Sequence, residues 1–256
     1  RVPGEVTPDK LSEGERDQLY LALRVASLEH FLAKGSPIPL VVDDVLVNFD
    51  DKRARAAIDA GHFREQILPL EVRRGRETVL FDTDEHPRAS STVEALARLR
   101  PVFKTDGSVT AGNSSGINDG AAALLVVSAE RGRALGLTPM VRILGGAVAG
   151  VEPNRMGIGP VPASRKALDR VGWTAAEIDL VELNEAFAAQ AMPCMAELGL
   201  DPEKVNVNGG AIALGHPIGA TGARIVVTLV HELARRGASN GLATLCISGG
   251  MGIATA

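Results

Sequence analysis

Residues 178–200, "IDLVELNEAFAAQAMPCMAELGL", pass from an apolar strand pattern to a helical pattern at one polar residue. Ile178–Leu183 has four large apolar residues out of six and is predicted as a strand, and Glu185–Leu198 is predicted as a helix, with Asn184 at the junction. The same alternation continues downstream in a predicted helix and a predicted strand, at Ala220–Arg236 and Gly241–Ile247. Strands that alternate with crossover helices predict layered α/β structure.

Further elements are predicted upstream of this stretch. We expect strands at Ala121–Ser128 and Val141–Val148 and a helix at Ala163–Val171. Residues 61–103 are charged and punctuated by proline, which is typical of a loop-rich covering region. Nearer the amino end the pattern predicts a helix, a strand and a second helix, at 12–34, Ile38–Val42 and Asp51–Ala60.

Composition limits the classes of function. The chain has 256 residues, of which 45% are hydrophobic, enough for a buried core in one large or two small domains. A net charge of -4 gives no broad attraction to nucleic acid or to an anionic membrane surface. The longest apolar run, Ala121–Val127, is too short to span a bilayer, and "RVPGEV" at the start has no signal-peptide pattern. We therefore predict a soluble, cytoplasmic protein.

The cysteines and the first residue add two expectations. Cys194 and Cys246 cannot form a disulfide framework, so they fit a reducing compartment and matter, if at all, as thiols. The chain starts at Arg1 instead of methionine, which suggests a processed product or a fragment.

Three glycine-marked motifs in the second half carry candidate chemistry. They are "ELNEAFA" around Asn184, "NVNGGAIALGHPIGATGAR" around His216, and "CISGGMG" from Cys246. The glycines on either side of His216 let the backbone approach a ligand closely, and the following helix offers amides to a negative charge. A single histidine, however, is more often structural than catalytic.

Asn184 and Cys246 each have two interpretations. Asn184 is a helix N-cap, or an amide that orients a water or a substrate carbonyl near oxyanion charge. Cys246 is a buried inert thiol, or an acid/base thiol with room around it for backbone donors. Cys194, which lies within the predicted helix, is interpreted as packing.

Taken in order, these motifs resemble those of the thiolases, which exchange acyl groups between coenzyme A thioesters and a carbon nucleophile. Further matches are "DEHPR" from Asp84, "GSVTAGNSSGINDGAAA" from Gly107 and "MGIGPVPASRKAL" from Met156. The resemblance covers residues 59–256. It implies thiolysis of a 3-ketoacyl-CoA or condensation of two acyl-CoA molecules, with the CoA thioester as substrate and neither cofactor nor metal.

The resemblance also implies roles for individual residues. His216 would assist the nucleophile and form an oxyanion hole with a water held by Asn184, while Cys246 would move the α-proton. The implied CoA-binding positions are Arg88, Phe103, Ala111 and Ser115, and the acyl-pocket positions are Met156 and Phe187. Arg88 has an alternative as a solvated loop charge.

Two departures from the family pattern matter. Ser248 stands where thiolases commonly have glycine, at a position whose role is a backbone N–H donor. No cysteine corresponds to the family's separate, acylated nucleophile, since both cysteines align with later positions. We therefore expect the chain to be inactive by itself. The family assembles as dimers or tetramers, so a homo-oligomer is implied.

Residues 1–58 resemble a different family, the ABC-type ATPases of the SMC-like group. "LSEGERDQLYLAL" is similar to the signature motif, "PLVVDD" to a Walker B strand and "LVNFDD" to the D-loop. The resemblance implies that Asp43 meets a metal through water, that Asp44 replaces the glutamate base, and that Ser12 meets a γ-phosphate. Alternatively, all three are simple caps. The chain contains no GxxxxGK[ST] loop, so a complete nucleotide site is not predicted.

The sequence therefore predicts a chimera of three parts: an ATPase fragment at 1–58, a thiolase loop region together with the end of the thiolase N-terminal half at 59–137, and a thiolase C-terminal domain at 138–256. The expected fold is one layered α/β half of the thiolase fold with part of its loop region, preceded by a short ABC-ATPase-like α/β fragment. The alternative functions are a nucleotide-hydrolysing, DNA-associated ATPase fragment and a non-catalytic binding remnant. A half-fold should expose a large apolar face and tend to associate.

Overall fold

The computed structural model describes residues 43–88 and 90–256, with side chains from Asp51 onward. In chain order its helices and strands are α1 (Asp43–Asp59), β1 (Leu70–Arg74), β2 (Glu77–Phe81), α2 (Val93–Leu96), α3 (Ala129–Ala134), β3 (Gly146–Gly150), α4 (Pro160–Val171), β4 (Leu180–Leu183), α5 (Ala188–Leu198), α6 (Ala211–Leu214), α7 (Thr221–Arg236), β5 (Gly241–Ile247) and β6 (Met251–Thr255). Short 3₁₀ turns lie at Pro153–Ile158, Ala175–Glu177 and Pro202–Lys204.

A four-stranded sheet with the order β3-β6-β5-β4 organises the second half of the chain. β6 pairs antiparallel with both β3 and β5, while β4 and β5 are parallel. The parallel pair requires a crossover, and α5, α6 and α7 provide it between β4 and β5. The carboxyl ends of β4 and β5 therefore meet at one edge of the sheet.

Helices cover both faces of this sheet. On one face, α4 and α5 bury a cluster of small and aliphatic side chains that includes Val161, Leu168, Leu183 and Leu198. On the other face, Ile225, Leu229 and Leu233 of α7 pack on Leu180 and Ala243. Because β4 and β5 are covered on both sides, their residues are apolar almost without alternation, as is typical of parallel strands.

Close backbone contact at two glycines brings α4 onto β6. A Cβ at Gly252 would lie 2.0 Å from the carbonyl oxygen of Gly159, the residue before α4, and a Cβ at Gly159 would lie 2.3 Å from the Met251 oxygen. Any side chain at either position would push the helix off the sheet, so this contact requires glycine on both sides.

Most predictions for the second half are confirmed. The predicted β5 has the observed bounds, and β4, α4, α5 and α7 differ from their predictions by a few residues at an end. The strand predicted at Val141–Val148 instead begins at Gly146. β3 pairs with β6 from Gly146 opposite Thr255, and Gly145 exchanges backbone hydrogen bonds with Ala256 just outside the strand.

The strand predicted at Ala121–Ser128 is wrong for this structure. The segment belongs to no described strand, and Leu125 and Val126 are 75% and 69% exposed. A strand needs neighbours for its backbone N–H and C=O groups, and none of the described strands lies beside this segment. The predicted loop region, 61–103, is mainly irregular, with the hairpin β1–β2 and the short helix α2 inside it.

The amino-terminal predictions are corrected in part. Asp43, Asp44 and the "LVNFDD" residues lie within the 17-residue helix α1, and they do not form a strand end and a D-loop. The segment contains neither glycine nor proline, and carboxylates in a first turn favour the positive end of a helix. The predictions at Ser12, at 12–34 and at Ile38–Val42 lie outside the described residues.

Candidate functional site

The candidate site lies where β4 and β5 end. Asn184 directly follows β4, and its backbone N–H donates to the Thr244 carbonyl of β5 at 3.0 Å. Cys246 lies two residues beyond Thr244, next to the turn that joins β5 to β6. The parallel pairing thus brings the asparagine and cysteine motifs, which are about sixty residues apart in the sequence, to one sheet edge.

His216 contacts Asn184 across this edge. Its Nε2 lies 3.4 Å from Asn184 Nδ2, and its Nδ1 lies 2.7 Å from Thr221 Oγ1. The Thr221 hydroxyl donates its one proton to the Pro217 carbonyl at 2.8 Å, so its oxygen must accept from His216 Nδ1–H. This pattern assigns the tautomer and leaves Nε2 as an acceptor, with Asn184 Nδ2 as the donor beside it.

The environment of His216 also favours its neutral form. Burial lowers the pKa of the half-buried imidazole, and the positive charge of Arg224 lowers it further. A neutral ring with Nδ1 protonated can accept a proton at Nε2 near neutral pH. The arrangement is therefore that of a general base.

Asn184 is 1% exposed, and its carboxamide is held between the histidine and the protein interior. Its Nδ2 contacts His216, and its buried Oδ1 has no hydrogen-bond partner in the described part of the chain. A buried acceptor without a donor is costly, which favours a bound water or substrate donor at this position. The N-cap interpretation is not supported, because α5 begins only at Ala188 and Phe187 is its N-cap residue.

Cys246 is buried at the end of β5, and burial raises the pKa of its thiol. Gly249 and Gly250 follow with φ of 85° and 90°, which lets the chain reverse tightly between Ile247 and Met251. Ser248 is exposed in this turn, so the serine that replaces the family glycine is accommodated there. The resting cysteine is therefore a protonated thiol, and burial makes it a weaker acid than a free cysteine.

Cys194 packs inside the protein as predicted. It is fully buried, its Sγ lies 3.3 Å from the Gly157 carbonyl, and Gln190 Nε2 donates to it at 3.6 Å. Burial raises the pKa of this thiol to about 12, so it stays protonated and inert.

Sequence reasoning missed a polar clasp that joins the asparagine and histidine loops. The Asn206 side chain brackets the Leu183 backbone, accepting from its N–H at 2.9 Å and donating to its carbonyl at 2.8 Å. Asn206 also donates to Glu185 at 2.7 Å, and Glu185 accepts from the Ile212 backbone N–H at 3.3 Å. The carboxylate therefore links the end of β4, just before Asn184, to the short helix that leads into His216.

Gly210 makes room for this clasp. A Cβ there would lie 2.2 Å from the Glu185 carboxyl carbon. Glu182 is buried, and its pKa is raised to about 8 by desolvation, against the lowering effect of the Arg224 charge and with smaller raising effects from Glu185 and Glu232. It is therefore protonated at neutral pH and does not place another negative charge beside Glu185.

Two more missed residues hold the histidine loop from the other side. The His216 backbone N–H donates to the Gly116 carbonyl at 3.0 Å and lies 3.3 Å from Asn118 Oδ1. Asn118 in turn contacts His86 Nδ1 at 3.4 Å, and His86 Nε2 contacts the Ile212 carbonyl at 3.2 Å. Both residues lie in motifs that the sequence had singled out, "DEHPR" and "GINDG", which was the available signal.

The predicted binding residues divide into two groups. Ser115 donates to the Ala186 carbonyl at 3.1 Å, and Phe103 meets Phe187 edge to face with ring centroids 5.9 Å apart, so these three lie beside the Asn184 loop. Met156 is half-buried in the turn at Pro153–Ile158. Arg88 and Ala111 are exposed on loops.

The described residues contain no group of three or more side chains of the kind that hold a metal ion. Within the same part of the chain, no helix combines the length and the apolar character that crossing a membrane requires.

Two sequence models match the chain: "Thiolase, C-terminal domain" over residues 137–256 and "Thiolase, N-terminal domain" over residues 45–130. The acetyl-CoA acetyltransferase of Pseudomonas aeruginosa is 58% identical over 212 residues, which is 82% of this chain and 54% of that protein. A probable acetyl-CoA acetyltransferase of Escherichia coli is 53% identical over 223 residues, 87% of this chain and 57% of that protein.

Solved structures give the same result. The Bacillus anthracis acetyl-CoA acetyltransferase superposes with a TM-score of 0.79 at 53% identity, covering 83% of this chain and 54% of that one. Human mitochondrial 3-ketoacyl-CoA thiolase in complex with CoA superposes with a TM-score of 0.80 at 44% identity, covering 91% and 56%. The chain thus spans about half the length of these relatives.

These comparisons bear on the amino-terminal part as well. The N-terminal domain match begins at residue 45, upstream of the predicted junction, and includes most of α1. They give no support to an ATPase segment.

Proposed function

This chain belongs to the thiolase family, and we propose that it supplies the histidine, asparagine and acid/base cysteine of an acyl-CoA acyltransferase site. The substrates are a 3-ketoacyl-CoA and free CoA, or two acyl-CoA molecules in the opposite direction. The observation that carries the proposal is the Thr221–His216–Asn184 chain of contacts, which leaves Nε2 of a neutral imidazole as an acceptor at the site. The printed names of the relatives, acetyl-CoA acetyltransferase and 3-ketoacyl-CoA thiolase, supply the substrate class.

His216 acts first as a base in this proposal. Its Nε2 accepts the proton of an attacking thiol, and the resulting thiolate adds to the 3-keto carbon of the substrate. The imidazolium now carries a proton on Nε2, and this N–H becomes a donor to the oxyanion that develops beside it. The same ring nitrogen therefore acts first as a base and then as a donor.

Asn184 completes the oxyanion site. Its buried Oδ1 accepts from a water whose other proton points to the thioester oxygen, and Nδ2 donates to the imidazole only before Nε2 takes up the proton. The bond between the α- and β-carbons then breaks, and its electron pair becomes the enolate of acetyl-CoA.

Cys246 donates its thiol proton to the α-carbon of this enolate and later recovers a proton from the thiol of free CoA. The CoA thiolate then takes the acyl group from the nucleophile, whose sulfur regains the proton held by His216. The raised pKa of the buried thiol fits a group that starts protonated. In the condensation direction the same sulfur must first be a thiolate in order to remove the α-proton. We therefore expect condensation to gain more than thiolysis from a rise in pH.

The nucleophile that forms the acyl-enzyme is not one of the two cysteines of this chain. Cys194 is inert and Cys246 has the acid/base role, so the 256-residue chain should not turn over substrate by itself. The CoA arm would lie along Phe103 and Ser115, with Arg88 and Ala111 nearer its exposed end, and the acyl group would lie near Met156 and Phe187. The reaction needs neither a metal nor a further cofactor.

The wider predictions also stay proposals. We infer a cytoplasmic location, a place in fatty acid metabolism and a homo-oligomer, as in the family. We also keep the proposal that the residues ahead of the thiolase match come from a fused ATPase segment. Sequencing across the junction in the source DNA tests this proposal, and an uninterrupted thiolase reading frame would contradict it.

A hybrid enzyme tests the proposed chemistry without depending on assembly of separate chains. Residues 45–256 replace the matching part of the Pseudomonas aeruginosa relative, and thiolysis of acetoacetyl-CoA is measured. The hybrid should be active. Cys246→Ala and His216→Ala should each lower kcat by about 10²–10⁴-fold, the range typical of a lost acid/base group.

Cys194→Ala is the matched control, because it removes a thiol of the same chain from a packed helix. It should keep kcat within a few-fold of the parent hybrid. A hybrid that folds but has no activity, or in which Cys246→Ala is as active as Cys194→Ala, would contradict the proposed function.

A further inference from the structure

The short helix α6 ends abruptly just before His216. Gly215 leaves the helix with φ 100° and ψ 163°, a conformation open essentially only to glycine. In a continued helix the His216 N–H would donate to the carbonyl four residues earlier, which belongs to Ile212. The break separates these two backbone groups, and each must find another partner.

Two side chains from the first half of the chain connect the separated groups. His86 Nε2 lies 3.2 Å from the Ile212 oxygen, and His86 Nδ1 lies 3.4 Å from Asn118 Nδ2. Asn118 Oδ1 in turn lies 3.3 Å from the His216 nitrogen, which also donates to Gly116 at 3.0 Å. His86 and Asn118, named here the bridge, therefore span the hydrogen bond that the end of the helix removes.

The backbone groups at the two ends fix the direction of every hydrogen bond in the bridge. The Ile212 carbonyl can only accept, so His86 carries its proton on Nε2. The His216 N–H can only donate, so Asn118 presents Oδ1 to it and Nδ2 to His86 Nδ1. His86 and His216 therefore have opposite tautomers, since His216 carries its proton on Nδ1.

Glycines on both sides make room for the bridge. A Cβ at Gly116 would lie 2.5 Å from His86 Cε1, and a Cβ at Gly215 would lie 2.6 Å from Asn118 Oδ1. Both bridge side chains are half-buried, which reduces the competition of water for their hydrogen bonds. The bridge is thus a packed part of the site and not a pair of surface contacts.

We propose that His86 and Asn118 are positioning residues for His216, because they hold the helix break open and so aim the imidazole at Asn184. With the bridge in place, His216 Nε2 lies 3.4 Å from Asn184 Nδ2. Without it, the Ile212 carbonyl loses its side-chain donor, and a continued helix would supply the His216 N–H instead. That change would turn the imidazole away from Asn184. The expected effect on rate rests on the proposed function, whereas the geometry of the bridge does not.

The kinetic test uses the hybrid enzyme described above. His86→Phe keeps a ring but removes both bridge nitrogens, and it should lower kcat for thiolysis by about 10–100-fold, because the base is misplaced. His86→Gln supplies one donor and one acceptor and should recover most of this loss. His231→Phe, at an exposed histidine of α7, is the matched control and should keep the parent kcat.

The Michaelis constant separates positioning of His216 from a disturbance of the loop that carries the bridge. His86 lies two residues before Arg88, a proposed CoA-binding residue. A disturbed loop would raise the KM for CoA, whereas loss of the bridge should leave this KM within about twofold of the parent and act on kcat.

Nitrogen-15 shifts of the imidazoles test the bridge in the full 256-residue chain without any turnover. In the parent, His86 should carry its proton on Nε2. Asn118→Asp removes the donor to His86 Nδ1 but keeps an acceptor for the His216 N–H, so it should place a proton on His86 Nδ1. His86→Phe should shift the His216 signals, because its Nδ1–H loses its fixed place on Thr221. His231→Phe should leave both rings unchanged.

The two kinds of failure are distinguishable. The bridge is refuted if His86 of the parent chain carries its proton on Nδ1, or if His86→Phe leaves the His216 signals where they are. The positioning role is refuted if His86→Phe in an active hybrid keeps the kcat of His231→Phe or changes only KM. An inactive parent hybrid, together with the expected imidazole signals, would contradict the proposed function and support the bridge.

Discussion

Residues 146–256 and residues 121–144 are both rich in apolar side chains, yet only the first region buries them. In the first, the strands of one sheet find each other within the chain and helices cover both faces. In the second, a strand-like run stays irregular and exposed. An apolar pattern indicates that a segment can form a buried strand. Whether the strand forms depends on the presence of partner strands and covering helices.

The largest expected effect separates the two regions by a matched pair of leucines. Leu242→Ala, at a fully buried position in β5, should lower the free energy of unfolding by about 3 kcal/mol, because it leaves a cavity between sheet and helices. Leu125→Ala should change it by less than about 0.5 kcal/mol, since that side chain is already in water. Urea unfolding of the isolated chain measures both, and equal losses would contradict the comparison.

The next effect concerns the clasp inside the folded region. Asn206→Ala should cost about 2–3 kcal/mol, because it removes the partner of the Leu183 backbone groups and one donor to Glu185, and puts alanine at φ 47°. Asn206→Gly relieves only the backbone strain. If Asn206→Gly is as stable as the parent, the side-chain contacts contribute nothing and the clasp has no structural role.

A buried glutamate makes the stability of the folded region depend on pH. Although burial opposes ionisation, hydrogen bonds from Arg235, Asn208 and Arg236 lower the pKa of Glu232 to about 2, against 4.5 ordinarily. A depressed folded pKa stabilises the protein above pH 4.5, and this contribution is lost as the pH falls from 4.5 toward 2.

Glu232→Gln should therefore be less stable than the parent by about 1–2 kcal/mol at pH 7, allowing for solvent around the arginines, and the gap should close toward pH 2. Urea midpoints at several pH values measure it. A gap that stays constant from pH 7 to pH 2 would show that the carboxylate charge is not responsible.

The smallest effect tests the histidine itself. Thr221→Val removes the acceptor for His216 Nδ1–H, which should cost about 1 kcal/mol and let the other tautomer appear. Nitrogen-15 chemical shifts of the imidazole report the tautomer directly. Thr221→Ser keeps the hydroxyl and should keep the parent spectrum; identical spectra in all three proteins would refute the assigned tautomer.

The presence or absence of partner strands also explains which strands could be predicted from the sequence. The bounds of β5 were predicted correctly because its apolar run, its turn and its partners β4 and β6 all lie within the chain. Ala121–Ser128 has an equally clear strand pattern, but local sequence does not reveal whether a partner strand is present. The start of α1 was predicted wrongly, because the resemblance of this stretch to ATPase motifs was given more weight than the absence of glycine and proline between Asp43 and Asp59.

The site shows a similar division. The motifs identified His216, Asn184 and Cys246 as candidates. The structure places Asn184 against His216. Thr221, Asn206 and Glu185 were not predicted as partners, because their roles depend on which atoms face each other after folding. Asn206 had one visible signal, its position before a Val-Asn-Gly-Gly run, since asparagine tolerates the left-handed backbone that it adopts there.

Residue-resolved amide hydrogen exchange of the chain alone tests the central contrast most directly. We predict that Leu242–Leu245 in β5 exchange only through global unfolding, while Ala121–Val127 exchange at nearly the rate of an unstructured peptide. Slow exchange at 121–127 in the monomeric chain, matching that of β5, would contradict the account.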